Sequence, residues 1–220
     1  MKAMILAAGR GQRMRPLTDT CPKPLLQVGQ YRLIEYHLLM LKKSGFSDVM
    51  INLAWLGDQI KTTLGNGDSY GLNLHYSYEG EQGLETAGGI FKVLDFFDNQ
   101  PFWFINGDVK TNYTIHPLKL HHQLAHLVMV NNPPQHPQGD FHFQHNQLTP
   151  HNGIKLTFSG IGCYHPALFK HCTAGKFPLA PLLIDAIQQQ RISAEHFQGE
   201  WDDIGTPERL AKINQRLLVN

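Results

Sequence analysis

The stretch Ala3-Met4-Ile5-Leu6-Ala7-Ala8-Gly9-Arg10-Gly11-Gln12-Arg13-Met14-Arg15-Pro16 carries the information that decides the fold. Its first six residues are a short unbroken apolar run, the pattern of a strand buried on both faces in a parallel sheet. A glycine- and arginine-rich loop, Gly9 to Pro16, follows at once. Glycines let a backbone turn its N–H groups inward around phosphate oxygens, and arginines add forked donors suited to phosphate. The plainer alternative is a basic surface turn. Spacing excludes two familiar phosphate loops: no GxxxxGK[ST] string occurs, and Met14 stands where a dinucleotide fingerprint needs its third glycine.

Outward from this loop, strand and helix patterns alternate. Leu33 to Ser44 repeats apolar residues at helical spacing and stops at Gly45. Val49 to Leu53 reads as a buried strand, Asp58 to Leu64 as a short helix and Leu74 to Tyr78 as a strand. Thr86 to Leu94 reads as helix, and Phe102 to Ile105 as an aromatic strand ending in Asn106-Gly107-Asp108. From Asn131 to Asn152 the chain is rich in Pro, His, Gln, Asn and Gly, which predicts loops and short hairpins. Strand resumes over Lys155 to Tyr164, helix over Ala180 to Gln190 and short strands over Ser193 to Ile204. Thr206-Pro207-Glu208 opens a last helix with an N-cap, a first-turn proline and an acid.

The alternation predicts an α/β fold: a Rossmann-like, mixed, mainly parallel sheet with helices on both faces and a small β-rich insertion. Ligands bind such sheets beyond the carboxyl ends of the strands, where Gly9 to Arg15 and Asn106-Gly107-Asp108 both fall. With no internal repeat and no hexapeptide array, no appended left-handed β-helix is expected.

The composition is that of a globular domain, with 42% hydrophobic and 17% charged residues among 220. A formal charge of +1 gives no global field for nucleic acid or an anionic membrane, so any bound anion needs a local site. Cys21, Cys163 and Cys172 are odd in number and form no CxxC pair, which favours a reducing cytosol over a disulfide framework. The N-terminal apolar run is too short for a signal peptide and is followed by arginines, and no stretch nears the ~20 apolar residues of a membrane span. A soluble cytoplasmic protein with no nucleic-acid or membrane partner is expected. Of thirteen histidines, ten lie between His116 and His171. A zinc site is conceivable there, but no HExxH or Cys-pair spacing accompanies them, and His121, His122 and His126 are expected on a helix face. Trp55, Trp103 and Trp201 read as core or cleft walls.

Three further features bear on chemistry. In Pro22-Lys23-Pro24 two prolines stiffen the backbone around one lysine and so aim its ammonium, although taken alone such a string is more often a turn with a solvated lysine. Asp108 and Asp203 each stand at a strand end, and magnesium favours one or two protein carboxylates with phosphate oxygens and waters. Taken singly, either aspartate reads as a cap or turn former. Together with the loop they suggest one phosphate and metal site.

The string GRGQRMRPLTDTCPKPLL resembles the signature of the sugar-nucleotide pyrophosphorylases, the family of glucose-1-phosphate thymidylyltransferases and mannose-1-phosphate guanylyltransferases. The similarity runs along essentially the whole chain. INLAWLGDQI, GLETAGGIF, INGDV, NPPQHPQGDF, FSGIGCYHPALF, FPLAPLL and WDDIGTPERL resemble the branch that joins UTP to N-acetylmuramate α-1-phosphate in peptidoglycan recycling. The resemblance implies one nucleotidyltransferase domain over 1–220, with 1–130 mainly the nucleotide half and 131–205 mainly the sugar half. It implies a Mg2+-dependent reaction of UTP with a sugar 1-phosphate. Ala8, Gly9, Gly11 and Gln12 would cradle the triphosphate, Arg13 would neutralise the departing pyrophosphate, and Lys23 would hold the α-phosphate. Asp108 and Asp203 would bind the metal; Asp203 rather than Asp202 matches the family's W-x-D-x-G-T register. Asn52, Gly83 and Gly88 would lie around base and ribose, and Asn106, Gly139, Asp140 and Asn152 on the sugar side. Many relatives carry a Glu-Lys-Pro string whose lysine contacts the sugar phosphate; this chain has none, and Lys155 is the substitute considered.

The implied chemistry needs no general base, because a sugar phosphate is already an anion near neutral pH. Alignment and charge neutralisation suffice. Thymidylyl or guanylyl transfer to a hexose 1-phosphate is the alternative within the class. A non-catalytic nucleotide-sugar sensor is the alternative outside it, although such a protein would be expected to lose Lys23 or a metal carboxylate, and both are present.

Overall fold

A computed structural model describes Met1–Val219, with side chains through Leu218. In chain order the strands and helices are β1 (Lys2–Leu6), β2 (Gln27–Val28), β3 (Tyr31–Arg32), α1 (Leu33–Lys43), β4 (Asp48–Leu53), α2 (Gly57–Leu64) and β5 (Asn73–Tyr78). Next come α3 (Glu85–Lys92), β6 (Phe102–Asn106), β7 (Val109–Thr111), β8 (Ala125–Val130), β9 (Phe141–Gln144), β10 (Gln147–Thr149) and β11 (Ile154–Tyr164). The chain closes with α4 (Ala180–Gln188), β12 (Ile192–His196), β13 (Trp201–Asp203) and α5 (Pro207–Val219). They form two compact units: Met1–Gly83 with Ile105–His116 and the chain from Glu200 onward, and Leu84–Phe104 with Pro117–Gly199.

In the first unit β5, β4 and β1 are parallel neighbours, with Ala3 opposite Val49 and Ile51 opposite Tyr76. Parallel strands need long crossovers, and α1 and α2 lie in those returning the chain from β1 to β4 and from β4 to β5. Ala3, Met4, Ile5, Val49, Ile51 and Leu53 are buried, as the continuous apolar runs predict. Each fully buried Met, Ile, Val or Leu side chain among them contributes roughly 1.5–3 kcal/mol. α1 begins where Glu35 Oε2 accepts from the Arg32 N–H at 2.6 Å, and it buries Leu33, Ile34, Leu38 and Leu41. Met14, Leu26, Val28, Leu33, Ile204, Leu210 and Ile213 share one buried cluster, so the loop after β1 packs with the last segment of the chain.

In the second unit the order is β11-β8-β12-β10-β9, with β12 parallel to β8 and the other pairings antiparallel. The β9–β10 hairpin turns through His145 and Asn146, both at positive φ (50 and 59), as a two-residue turn of this hand requires. This is the short hairpin expected within 131–152. Phe97 stacks on Phe102 with ring centroids 3.7 Å apart, and Tyr164 packs against Phe102 and Phe104.

Several expectations are corrected. β1 ends at Leu6 rather than Ala8, because the Ala7 N–H leaves the ladder for the Asn52 side chain. The helix from residue 85 stops at Lys92, and Leu94–Phe97 form a separate 3₁₀ turn. His126 stands on a strand, β8, rather than on a helix face, and His121 and His122 lie in an irregular bend. The run Ala-His-Leu-Val-Met-Val is buried at five of its six positions, a burial that amphipathic spacing does not signal. Trp103 is buried on β6, in the core as expected.

Candidate active site

The C-terminal ends of β1 and β4 are tied by a buried polar chain. Asn52 Oδ1 accepts from the Ala7 N–H at 2.7 Å, and Asn52 Nδ2 donates to Glu79 Oε1 at 2.6 Å. Asn52 is 2% exposed and Glu79 9% exposed. A buried amide must be partnered, and here the partners fix where the strand turns into the loop. Asn52 therefore braces the loop from beneath, with its oxygen and one N–H committed to protein. Glu79 escaped the sequence reading; an acid directly after a strand was the available signal.

The loop itself is organised by Gly11. Its φ of +64 lies in the left-handed region, and a Cβ there would come 3.0 Å from Thr18 Cγ2. Its carbonyl accepts from the Met14 N–H and the Thr18 hydroxyl, both at 2.8 Å. Met14 is buried and anchors the loop from below, while Gly9, Gln12 and Arg13 stay exposed and Ala8 half-buried. Trp55, half-buried, donates from Nε1 to the Thr18 carbonyl at 2.9 Å and carries the Arg10 guanidinium over its ring at 4.4 Å. Trp55 is thus a wall of the loop region, joining the N-terminal side of α2 to both halves of the loop.

Lys23 sits in a 3₁₀ turn between buried Pro22 and Pro24. Its Nζ lies 2.9 Å from Asp108 Oδ2, with the lysine side chain 11% and the aspartate 37% exposed. Gly107 makes this approach possible. Its N–H donates to the Leu6 carbonyl at 2.9 Å, and a Cβ would sit 2.2 Å from that same oxygen. Only a bare residue lets Asn106-Gly107-Asp108 press against the end of β1.

β13 then brings the second acid. It pairs antiparallel with β7, Asp203 opposite Val109 and Asp202 opposite Lys110, and the Ile204 N–H donates to the Asp108 carbonyl at 2.9 Å. Asp108 and Asp203, 95 positions apart in sequence numbering, are therefore backbone neighbours. Successive strand residues face opposite ways, so Asp202 and Asp203 diverge. Asp202 pairs with Arg216, whereas Asp203 Oδ2 meets Arg209 Nη1 at 2.5 Å.

Behind the site lies His37, 1% exposed on α1. Burial pushes its imidazole down to about 4, against an upward pull from the Asp108 carboxylate. It is neutral at physiological pH.

The donor set fits a hard divalent cation. Asp108 and Asp203 offer carboxylate oxygens, ligands of the kind that suits magnesium, and each is here ion-paired with a cationic side chain. Among the described residues no group of three or more His, Cys, Asp and Glu side chains comes together, so any ion here needs ligand oxygens from substrate and water as well.

The first unit holds Ala8, Gly9, Gly11, Gln12, Arg13, Lys23, Asn52, Gly83, Asn106, Asp108 and Asp203. Gly88, Gly139, Asp140, Asn152 and Lys155 belong to the second. There the Gly88 N–H donates to the Phe177 carbonyl at 3.2 Å. Asp140 is engaged locally: Oδ2 accepts from the Phe158 N–H at 2.8 Å, and Oδ1 meets His136 Nε2 at 3.0 Å. Asn152 caps a tight turn with Thr149, and Lys155 stands exposed on β11 opposite His142.

A nucleotidyl transferase family model matches residues 2–141. The chain is 49% identical over 226 aligned residues to an N-acetylmuramate alpha-1-phosphate uridylyltransferase of Neisseria meningitidis serogroup B, covering 96% of this chain and 95% of the relative. It is 31% identical to a UTP–glucose-1-phosphate uridylyltransferase of Synechocystis, over 85% of this chain and 51% of that protein. A Bacillus anthracis structure described as a glucose-1-phosphate thymidylyltransferase with sucrose superposes with a TM-score of 0.87 at 22% identity, covering 99% of this chain and 95% of that one. At that identity the likeness concerns the fold alone. No helix of the described residues is long and apolar enough to cross a membrane.

Proposed function

From the premise that this chain belongs to the nucleotidyl transferase family, we propose that it transfers the uridylyl group of UTP to N-acetylmuramate α-1-phosphate. The products are UDP-N-acetylmuramate and pyrophosphate, in a cytoplasmic step of peptidoglycan recycling. The observation that carries the substrate choice is the 49% identity to the Neisseria relative across nearly the full length of both chains. The convergence of Lys23, Asp108 and the Asp203 segment supports the chemistry.

A phosphate oxygen of the sugar attacks the α-phosphorus of UTP, and the bond to the oxygen bridging the α- and β-phosphates breaks. That oxygen departs with pyrophosphate, already anionic, so no side chain has to move a proton. The barrier is the approach of two anions and the shift of charge onto the leaving group. Gly9, Gly11 and the adjoining amides receive the triphosphate, Arg13 faces the departing pyrophosphate, and Lys23 follows the α-phosphate into the transition state. Asp108 and Asp203 would hold Mg2+, which when bound would screen the phosphate charge. Asn52 and Gly83 shape the base side, while Gly139, Asp140 and Asn152 keep the sugar side in form.

The test is a panel of UTP, dTTP, GTP and CTP against N-acetylmuramate α-1-phosphate, glucose 1-phosphate and mannose 1-phosphate, read by pyrophosphate release. UTP with the muramic sugar is expected to give the highest kcat/KM. A higher value for dTTP or GTP with a hexose 1-phosphate would replace this reading with the other branch, and no turnover of any pair would favour a sensor.

A further inference from the structure

Each acid of the site is held by its own cation, and only one of those cations has a task so far. Lys23 reaches Asp108, and Arg209 reaches Asp203 from the first turn of α5. The Arg209 position is built rather than incidental. A Cβ on Gly205 would fall 2.8 Å from Arg209 Nη1 and 3.1 Å from Asp203 Oδ1, so the bare residue leaves the guanidinium room to lie against the carboxylate. The Arg209 N–H in turn faces the Thr206 hydroxyl at 3.4 Å, which fixes the start of the helix. The neighbouring pair differs: Arg216 binds Asp202 on the other face of β13 and ties the helix to the strand. Arg209 is not needed for that tie.

The chain also lacks the Glu-Lys-Pro lysine, while the proposed reaction brings in a second phosphate, that of the sugar. Lys155, the sequence-based substitute, stands exposed in the other unit on β11. We propose that Arg209 binds the phosphate of the sugar 1-phosphate, taking the place of the missing lysine. The proposal rests on the uridylyl-transfer reading above. A guanidinium is planar and carries five donors; the contact with Asp203 uses one, and a phosphate accepts from the remainder in forked geometry. Lys23 then serves the nucleotide's phosphate and Arg209 the sugar's, one cation for each reacting group.

The experiment compares wild type with Arg209→Gln, Arg209→Lys and Lys155→Gln. Initial rates with each substrate varied give the two KM values. Titration calorimetry gives the Kd of N-acetylmuramate α-1-phosphate for enzyme loaded with Mg2+ and α,β-methylene-UTP, which cannot react. Arg209→Gln is expected to raise both the sugar-phosphate KM and its Kd about 30-fold, the scale of one charge-assisted hydrogen-bond pair. UTP KM should stay within about 3-fold, Arg209→Lys should recover part of the loss, and Lys155→Gln should change neither constant. The lysine variant keeps the test open if the glutamine variant does not fold. An unchanged Kd, an equal loss for both substrates, or a loss in Lys155→Gln instead would overturn the assignment to Arg209 while wild-type turnover left the reaction standing. A wild type that turns over no UTP and sugar 1-phosphate pair would remove the reaction and this inference with it.

Discussion

Replacing His37 by leucine should make the protein resist acid better. His37 is fully enclosed, its Nε2 has no hydrogen-bond partner among the described residues, and its imidazole titrates at about 4 instead of the ordinary 6.5. A folded-state pKa below the unfolded one means that the unfolded chain takes up the proton first as pH falls. Stability is thus fully present above about pH 6.5 and is lost as pH drops toward 4. Over the 1.5 units from 6.5 to 5, at 1.36 kcal/mol per unit, the loss is about 2 kcal/mol. Leucine has similar bulk and no nitrogen to leave unpartnered, so His37→Leu should be as stable as wild type at pH 7 and should lack this loss at pH 5. Asp48, lowered by the Ser47 hydroxyl, and Glu208, lowered by Thr206, titrate in both proteins and cancel in the comparison. Urea unfolding at both pH values measures it: with an m-value of about 2–3 kcal/mol/M, the wild-type midpoint should fall roughly 0.7–1 M further than the variant's. Equal falls in the two proteins would mean that His37 is solvated or partnered and carries no such proton linkage.

Other outcomes follow from the same geometry. Gly107→Ala sets a methyl 2.2 Å from the Leu6 carbonyl; a loss of about 2 kcal/mol, or 4–8 °C in Tm, is expected with a drop in kcat/KM, checked by thermal melting and initial rates. Lys23→Ala should lower kcat/KM about 100- to 1,000-fold with the fold intact by circular dichroism, the scale of one lost charge-stabilising donor. Trp55→Phe removes the hydrogen bond to Thr18 and weakens the platform under Arg10, so UTP KM should rise several-fold with kcat nearly unchanged.

Much of this was legible in the sequence because buried parallel strands and amphipathic helices announce themselves by period. β1, β4, α1, β11 and α5 fall within a residue or two of their expected places, apart from the two alanines after Leu6. The two- and three-residue ladders did not show, since β2, β3 and β7 are too short to carry any period. β8 stayed hidden because a uniformly apolar run suits helix and strand alike. At the site, the loop, Lys23, Asp108 and Asp203 were readable as residue types at strand ends. Their partners were not: Glu79 for Asn52, Thr18 for Trp55 and Arg209 for Asp203 are chosen by close approach in space. The register of β13 on β7 separates Asp202, which pairs with Arg216, from Asp203, which pairs with Arg209, a distinction that residue types alone cannot make.

Ion binding itself tests the paired-carboxylate metal site most directly. Mn2+, which reports its free concentration by electron paramagnetic resonance, should be titrated into wild type, Asp108→Asn and Asp203→Asn in the presence of α,β-methylene-UTP. One tight site is expected in the wild type, weakened at least ~10-fold by either substitution, each of which removes one charged ligand. Tight binding that survives both substitutions unchanged would contradict it.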